Sequence, residues 1–162
     1  DIHDNLPKAC EDGKNMEVRE IMLNASMVAG LAFTNVSLGI VHSMAHTVGS
    51  FFHVAHGLGD AIILPYIIRF NSGDARADGI YKSMAAAFDS QDMAQVVAEL
   101  NRKLGIPSSL KEIIPDREAY YARLEEMAKM ALADGCTKTN PIIPTIPQLV
   151  ELFETVYQGS EA

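Results

Sequence analysis

The chain is short of cysteine and of positive charge, and each shortage narrows what it does. Only two of its 162 residues are cysteine, Cys10 and Cys136. Their spacing gives neither a zinc ribbon nor a disulfide framework, and it fits a reducing, cytoplasmic setting. Lys and Arg number 13 against 21 Asp and Glu, for a net charge of -8. A nucleic-acid partner needs a basic face, and this balance argues against one. The opening Asp1-Ile2-His3-Asp4 is polar and acidic, so no signal peptide is expected there. Period-2 strand patterns, internal repeats and low-complexity tracts are also missing. Apolar residues at 48% nevertheless supply a proper core.

The most informative absence is local. Residues 21–59 contain no Asp, Glu, Lys or Arg. A run of that length is expected to be buried in protein or in a membrane. Asn24, Ser26, Thr34, Asn35, Ser37, Gly39, Ser43, Thr47 and Ser50 break every apolar window needed for a span. A buried central pair of helices is therefore expected, with no membrane partner.

The rest reads as helix. A tail of a helix runs over residues 6–10. A second follows from Met16, with Met16, Ile21, Met22, Ala25, Val28, Ala29 and Ala32 at helical spacing. Another starts near Gly39, and one from about 58 to 70 contains Pro65, which should bend it. Asp74 is placed to cap a helix carrying Ile80, Tyr81, Met84, Ala85 and Phe88. Met93, Val96, Val97, Leu100 and Leu104 form the next stripe, closed by Gly105 and Pro107. Ser109 with Glu112 and Thr145 with Gln148 fit capping boxes. Asp116 should cap a long helix stopped by Gly135, and Leu149, Val150, Leu152, Phe153 and Val156 line the last one. The expected fold is all-α, one helical domain over 1–162.

Four of the five histidines fall in the charge-free run: His42, His46, His53 and His56. Burying imidazole without partners is costly. His42 and His46 are four apart and share a helical face. Imidazoles from two successive helices are able to converge on a divalent metal. A core histidine satisfied by hydrogen bonds is the alternative, and spacing alone leaves both open. The H-x-x-x-H pair lacks the glutamate of a metalloprotease. Gly57 and Gly59, just after His56, allow a close backbone approach.

These residues resemble a known family. The segment Asn24-Ala25-Ser26-Met27-Val28-Ala29-Gly30 leads to Gly39-Ile40-Val41-His42-Ser43-Met44-Ala45-His46-Thr47-Val48-Gly49. Then come His56-Gly57-Leu58-Gly59-Asp60-Ala61, Leu64-Pro65 and Asn71. This is similar to the long C-terminal signature of the iron-containing alcohol dehydrogenases, G-x-x-H-x-x-x-H-x-x-G followed by H-G. Leu104-Gly105-Ile106-Pro107, Asp134-Gly135-Cys136 and Asn140-Pro141 resemble later parts of the same domain.

The resemblance implies a helical metal-binding domain with a dehydroquinate synthase-like fold. In that family it follows a nucleotide-binding domain. It implies iron, or zinc, held by one Asp and three His, of which His42 and His56 match two. His46 matches a histidine beside the nicotinamide and substrate that relays a proton. Cys136 would lie near the pocket, and His53 matches no ligand. The family's remaining ligands come as D-x-x-x-H, which this chain lacks, as it lacks a glycine-rich dinucleotide segment. The expectation is a fragment whose NAD(P) site lies on the missing N-terminal domain. Its parent would oxidise small alcohols or reduce aldehydes, and a homodimer would fit. The fragment itself should be inactive. The alternative is a stand-alone helical binding or regulatory domain that has lost the chemistry. A helical metal hydrolase ranks last, because it needs a carboxylate near the histidines and none lies within residues 21–59.

Overall fold

The computed structural model describes residues 1–159. Helices dominate, and among the described residues there is no strand. The all-α expectation is borne out. The chain divides into two compact units, Asp1–Ser37 and Leu38 onward.

The first unit pairs α1 (Ile2–Glu11) with α2 (Met16–Val36). Asn15 opens α2 by accepting a hydrogen bond from the Val18 backbone N–H at 3.2 Å. Here the burial expected of the charge-free run fails. Val18 is the one buried residue of α2, while Leu23, Met27, Val28 and Leu31 are exposed. Met16 and Val28, two of the apolar positions at helical spacing, are 74% and 61% exposed. Within this unit α1 is the one neighbour of α2, and it covers one stripe.

In the second unit the same run behaves as expected. α3 (Ile40–Phe52) and α4 (His56–Asn71) form a helical corner. Ile40, Met44 and Val48 from α3 and Ile62, Ile63 and Ile67 from α4 are almost fully buried. They meet Leu124, Met127, Ala128 and Ala131 of α8 (Leu124–Ala133) and Leu149, Phe153 and Val156 of α9 (Ile146–Gln158). At Gly59 α4 lies against α3; a Cβ there would lie 3.4 Å from that of Ala45. Among the described residues no single helix is long and apolar enough to cross a membrane.

Pro65 stays inside α4. Its ring nitrogen cannot donate to the Ala61 carbonyl one turn back. The Asn101 side chain fills that gap, donating to the Ala61 carbonyl at 2.6 Å from α6 (Met93–Lys103). Asp74 caps α5 (Ala75–Ala86) through the Arg76 and Ala77 backbone N–H groups, as its position suggests. Both predicted capping boxes form. The Ser109–Glu112 box opens a three-residue 3-10 turn, Leu110–Glu112, not a long helix. The long helix expected after Asp116 is broken at Ala122-Arg123 into α7 (Arg117–Tyr121) and α8.

Candidate metal and proton-relay site

The site is built on the α3–α4 corner. His42 and His46 lie one turn apart on α3, and His56 is the first residue of α4. Three residues join the helices. The turn is made by His53, which adopts the left-handed conformation (φ 55°, ψ 28°) and donates its backbone N–H to the Gly49 carbonyl at 3.0 Å. His53 therefore shapes the corner with its backbone; its side chain is exposed.

The corner brings the other three imidazoles together. Ring centroids are 5.3 Å apart for His42 and His56, 5.1 Å for His46 and His56, and 6.3 Å for His42 and His46. The His46 and His56 planes are stacked, 16° from parallel.

Two carboxylates serve this cluster, and the sequence reading assigned a role to neither. Asp60, one turn after His56 on α4, puts Oδ2 at 3.1 Å from His56 Nε2 and 3.6 Å from His42 Nε2. Its other oxygen, Oδ1, is buried with no hydrogen-bond partner. Burial pushes the Asp60 carboxyl above its ordinary value, against the opposing pull of His42, His56 and His46. Its signal was available as the i, i+4 spacing in His56-Gly57-Leu58-Gly59-Asp60, one position beyond the charge-free run.

Asp134, at the end of α8, places Oδ2 at 2.8 Å from His46 Nδ1. Its Oδ1 accepts the Cys136 backbone N–H at 2.8 Å. Burial acts to raise the Asp134 carboxyl, but the hydrogen bonds from His46 and Cys136 outweigh it and hold it below the ordinary value. With an ionised acceptor on Nδ1, a neutral His46 carries its proton on Nδ1 and leaves Nε2 as a free base. The pair is separated by 88 residues, so no local spacing could have announced it.

Two triads therefore have ligand-type atoms within 4.8 Å of one another: His42, His56 and Asp60, and His46, Asp134 and Cys136. Burial, and then the Asp134 carboxylate, push the Cys136 thiol up. A groove of about 1010 Å³ between α4 and α6, lined by Pro65, Arg69, Gln95 and Glu99, contains none of these residues.

The closing loop fixes the start of α3 behind the site. Asn140 Oδ1 accepts the Ile40 backbone N–H at 3.2 Å, and Thr139 donates its hydroxyl to the Leu38 carbonyl. Thr137 Oγ1 sits 2.8 Å from Ser43 Oγ and 2.6 Å from the Ala131 carbonyl, tying α3 to α8.

A helical corner carrying clustered imidazoles, backed by this loop, matches the Fe-containing alcohol dehydrogenase family, C-terminal, over residues 1–157. The chain belongs to that family. It is 38% identical to the NADPH-dependent butanol dehydrogenase of Clostridium saccharobutylicum, over 99% of this chain and 42% of that protein. The iron-containing alcohol dehydrogenase of Thermococcus thioreducens superposes with a TM-score of 0.90 at 33% identity, covering 98% of this chain and 42% of that one. A 1,3-propanediol oxidoreductase gives 0.88 at 28% identity, covering 96% and 42%. The chain thus spans about two-fifths of the length of these relatives.

Proposed function

We propose that this chain is the metal-holding helical part of an NAD(P)-linked alcohol dehydrogenase acting on small alcohols and aldehydes or ketones. His42 and His56 are two of its metal ligands, and His46 is its proton carrier. The observation that carries the reading is the cluster of three imidazoles at the α3–α4 corner, with His46 held by Asp134. The butanol dehydrogenase relative supports the substrate class and the dinucleotide.

The donor set fits a divalent transition metal. Imidazole nitrogens suit iron and zinc alike, and a buried carboxylate oxygen without a hydrogen-bond partner stands beside them. When bound, the metal supplies Lewis acidity toward an alcohol or carbonyl oxygen. Hydride exchange is the chemistry of the nicotinamide, for which this chain offers no glycine-rich cradle. NAD(P) binding is accordingly assigned to another domain, and the chain alone is expected to be inactive.

The chain's own residues do the rest. His42 and His56 present neutral imidazoles from two helices whose separation is set by Gly59 against Ala45. Asp134 holds His46 in one tautomer and one orientation. His46 Nε2 takes the proton lost by an alcohol, or returns it to the oxygen of a reduced carbonyl. The His46 side chain is 45% exposed, so it passes that proton on to solvent. The buried faces of α3 and α4 wall off the opposite side.

Metal analysis of the full-length protein tests the ligands: His42→Ala and His56→Ala should each lower bound iron or zinc. Unchanged metal content in both would sink the assignment. His46→Ala should keep the metal and lose most of the turnover.

A further inference from the structure

We propose that Asp60 is a metal-binding carboxylate, which completes a His42–His56–Asp60 set and gives this chain three ligands of its own. The inference rests on the reading that this corner holds a metal. It goes beyond that reading by adding a ligand.

Geometry is the first argument. Ligands at about 2.0–2.2 Å from one ion, at angles between octahedral and tetrahedral, stand roughly 3.0–3.4 Å apart. Asp60 Oδ2 lies 3.1 Å from His56 Nε2 and 3.6 Å from His42 Nε2. The same nitrogen of each ring, Nε2, faces the same oxygen. All three atoms fall within 4.8 Å of one another, so the separations are already near those of a shared ion.

The state of Asp60 is the second. Oδ1 is buried and makes no hydrogen bond. A carboxylate that exists only to orient imidazoles would normally have its remaining lone pairs satisfied. Among the described residues no Lys or Arg is paired with it; its ion-pair contacts are His42 and His56. A divalent cation supplies the missing compensation for a half-buried carboxylate whose Oδ1 is shut off from water.

The third argument is chemical. Two imidazoles and one carboxylate with open positions suit iron(II), whereas two imidazoles alone are a weak set. His56 and Asp60 stand one turn apart on α4, and His42 faces them from α3. The set therefore lies on two consecutive helices.

The test uses the metal-stripped full-length protein with Co²⁺ as the probe. Binding is followed by calorimetry and by the visible d–d bands, which report the donor set. The wild type should take up one Co²⁺. Asp60→Asn, near-isosteric, should weaken binding ten-fold or more and shift the bands. Zn²⁺ added to ¹³C-labelled wild-type protein should shift the Asp60 carboxylate signal, a readout that does not depend on a variant folding.

Equal affinity in wild type and Asp60→Asn would overturn the inference. So would weaker binding with unshifted bands, which would make Asp60 a supporting group only. A wild-type protein that takes up no Co²⁺ would also overturn it. His42 and His56 would still stand as ligands if their variants lower metal content in the full-length protein.

Discussion

Asn71 and Asn140 exchange two side-chain amide hydrogen bonds, Asn71 Nδ2 to Asn140 Oδ1 at 3.2 Å and Asn140 Nδ2 to Asn71 Oδ1 at 2.6 Å. Both are buried, at 3% and 7% exposure, and Asn140 also holds the Ile40 N–H and the Ile142 carbonyl. One side chain thus joins the end of α4, the start of α3 and the closing loop.

Asn140→Ala should destabilise the fold by about 2–3 kcal/mol, because it leaves the Ile40 N–H unpaired and takes from the Asn71 amide both of its bonds to Asn140. Chemical denaturation checks this. Gly39→Ala should cost about 1 kcal/mol or more by the same measurement, since its Cβ would lie 2.8 Å from Asn140 Oδ1, which the amide pair holds in place. A loss below a few tenths of a kcal/mol in both would mean that the pair is dispensable.

The His46–Asp134 contact makes a prediction for ¹⁵N NMR of the imidazole. Neutral His46 should be protonated on Nδ1 in the wild type and a mixture of tautomers in Asp134→Ala. In the full-length enzyme, Asp134→Ala should lower kcat by about 10- to 100-fold. The double variant with His46→Ala should be no worse than His46→Ala alone. Because Asp134 is held below the ordinary aspartate value, the pair should persist as pH falls through that value.

The Asn101 bond to the Ala61 carbonyl exists because Pro65 cannot make it. Asn101→Ala should therefore cost about 1–2 kcal/mol in the natural chain. In a Pro65→Ala background, where the helix supplies its own N–H, the same change should cost much less. A double-mutant cycle gives the coupling directly. Additive losses would contradict this account of the proline.

Glu112 Oε1 accepts from the Ser108 and Ser109 backbone N–H groups at 2.9 and 3.1 Å and from both hydroxyls. These bonds, the Ser109 hydroxyl foremost, hold its carboxyl below the ordinary 4.5. A depressed folded-state value stabilises the fold above the ordinary value, and that contribution is lost as pH falls through the folded value. Wild type should melt above Glu112→Gln at neutral pH. The gap should close as pH falls from the ordinary 4.5 through the folded value beneath it. A pH-independent gap would point to shape instead of charge.

Caps and breakers were readable in the sequence because their chemistry is local. Asp74, Ser109 with Glu112, and Thr145 with Gln148 each act within three residues. His42, His46 and His56 were readable for a related reason, since a helix and a tight corner bring them together. Asp134 was not, because its partner His46 comes from the other end of the domain. The exposure of α2 was misread because absence of charge reports what a segment avoids, not what covers it. The break at Ala122-Arg123 has no glycine or proline to announce it.

Sequence distance also divides the site in time. His42, His56 and Asp60 lie within nineteen residues, so a short loop closure assembles them. The His46–Asp134 contact and the Asn140 bond to Ile40 close loops of 88 and 100 residues. Low contact order lets the α3–α4 hairpin form early, while the relay waits for the carboxyl-terminal segment to arrive. Chain collapse would therefore create an ion-binding corner before a proton-transferring one, and metal uptake would precede competence during synthesis.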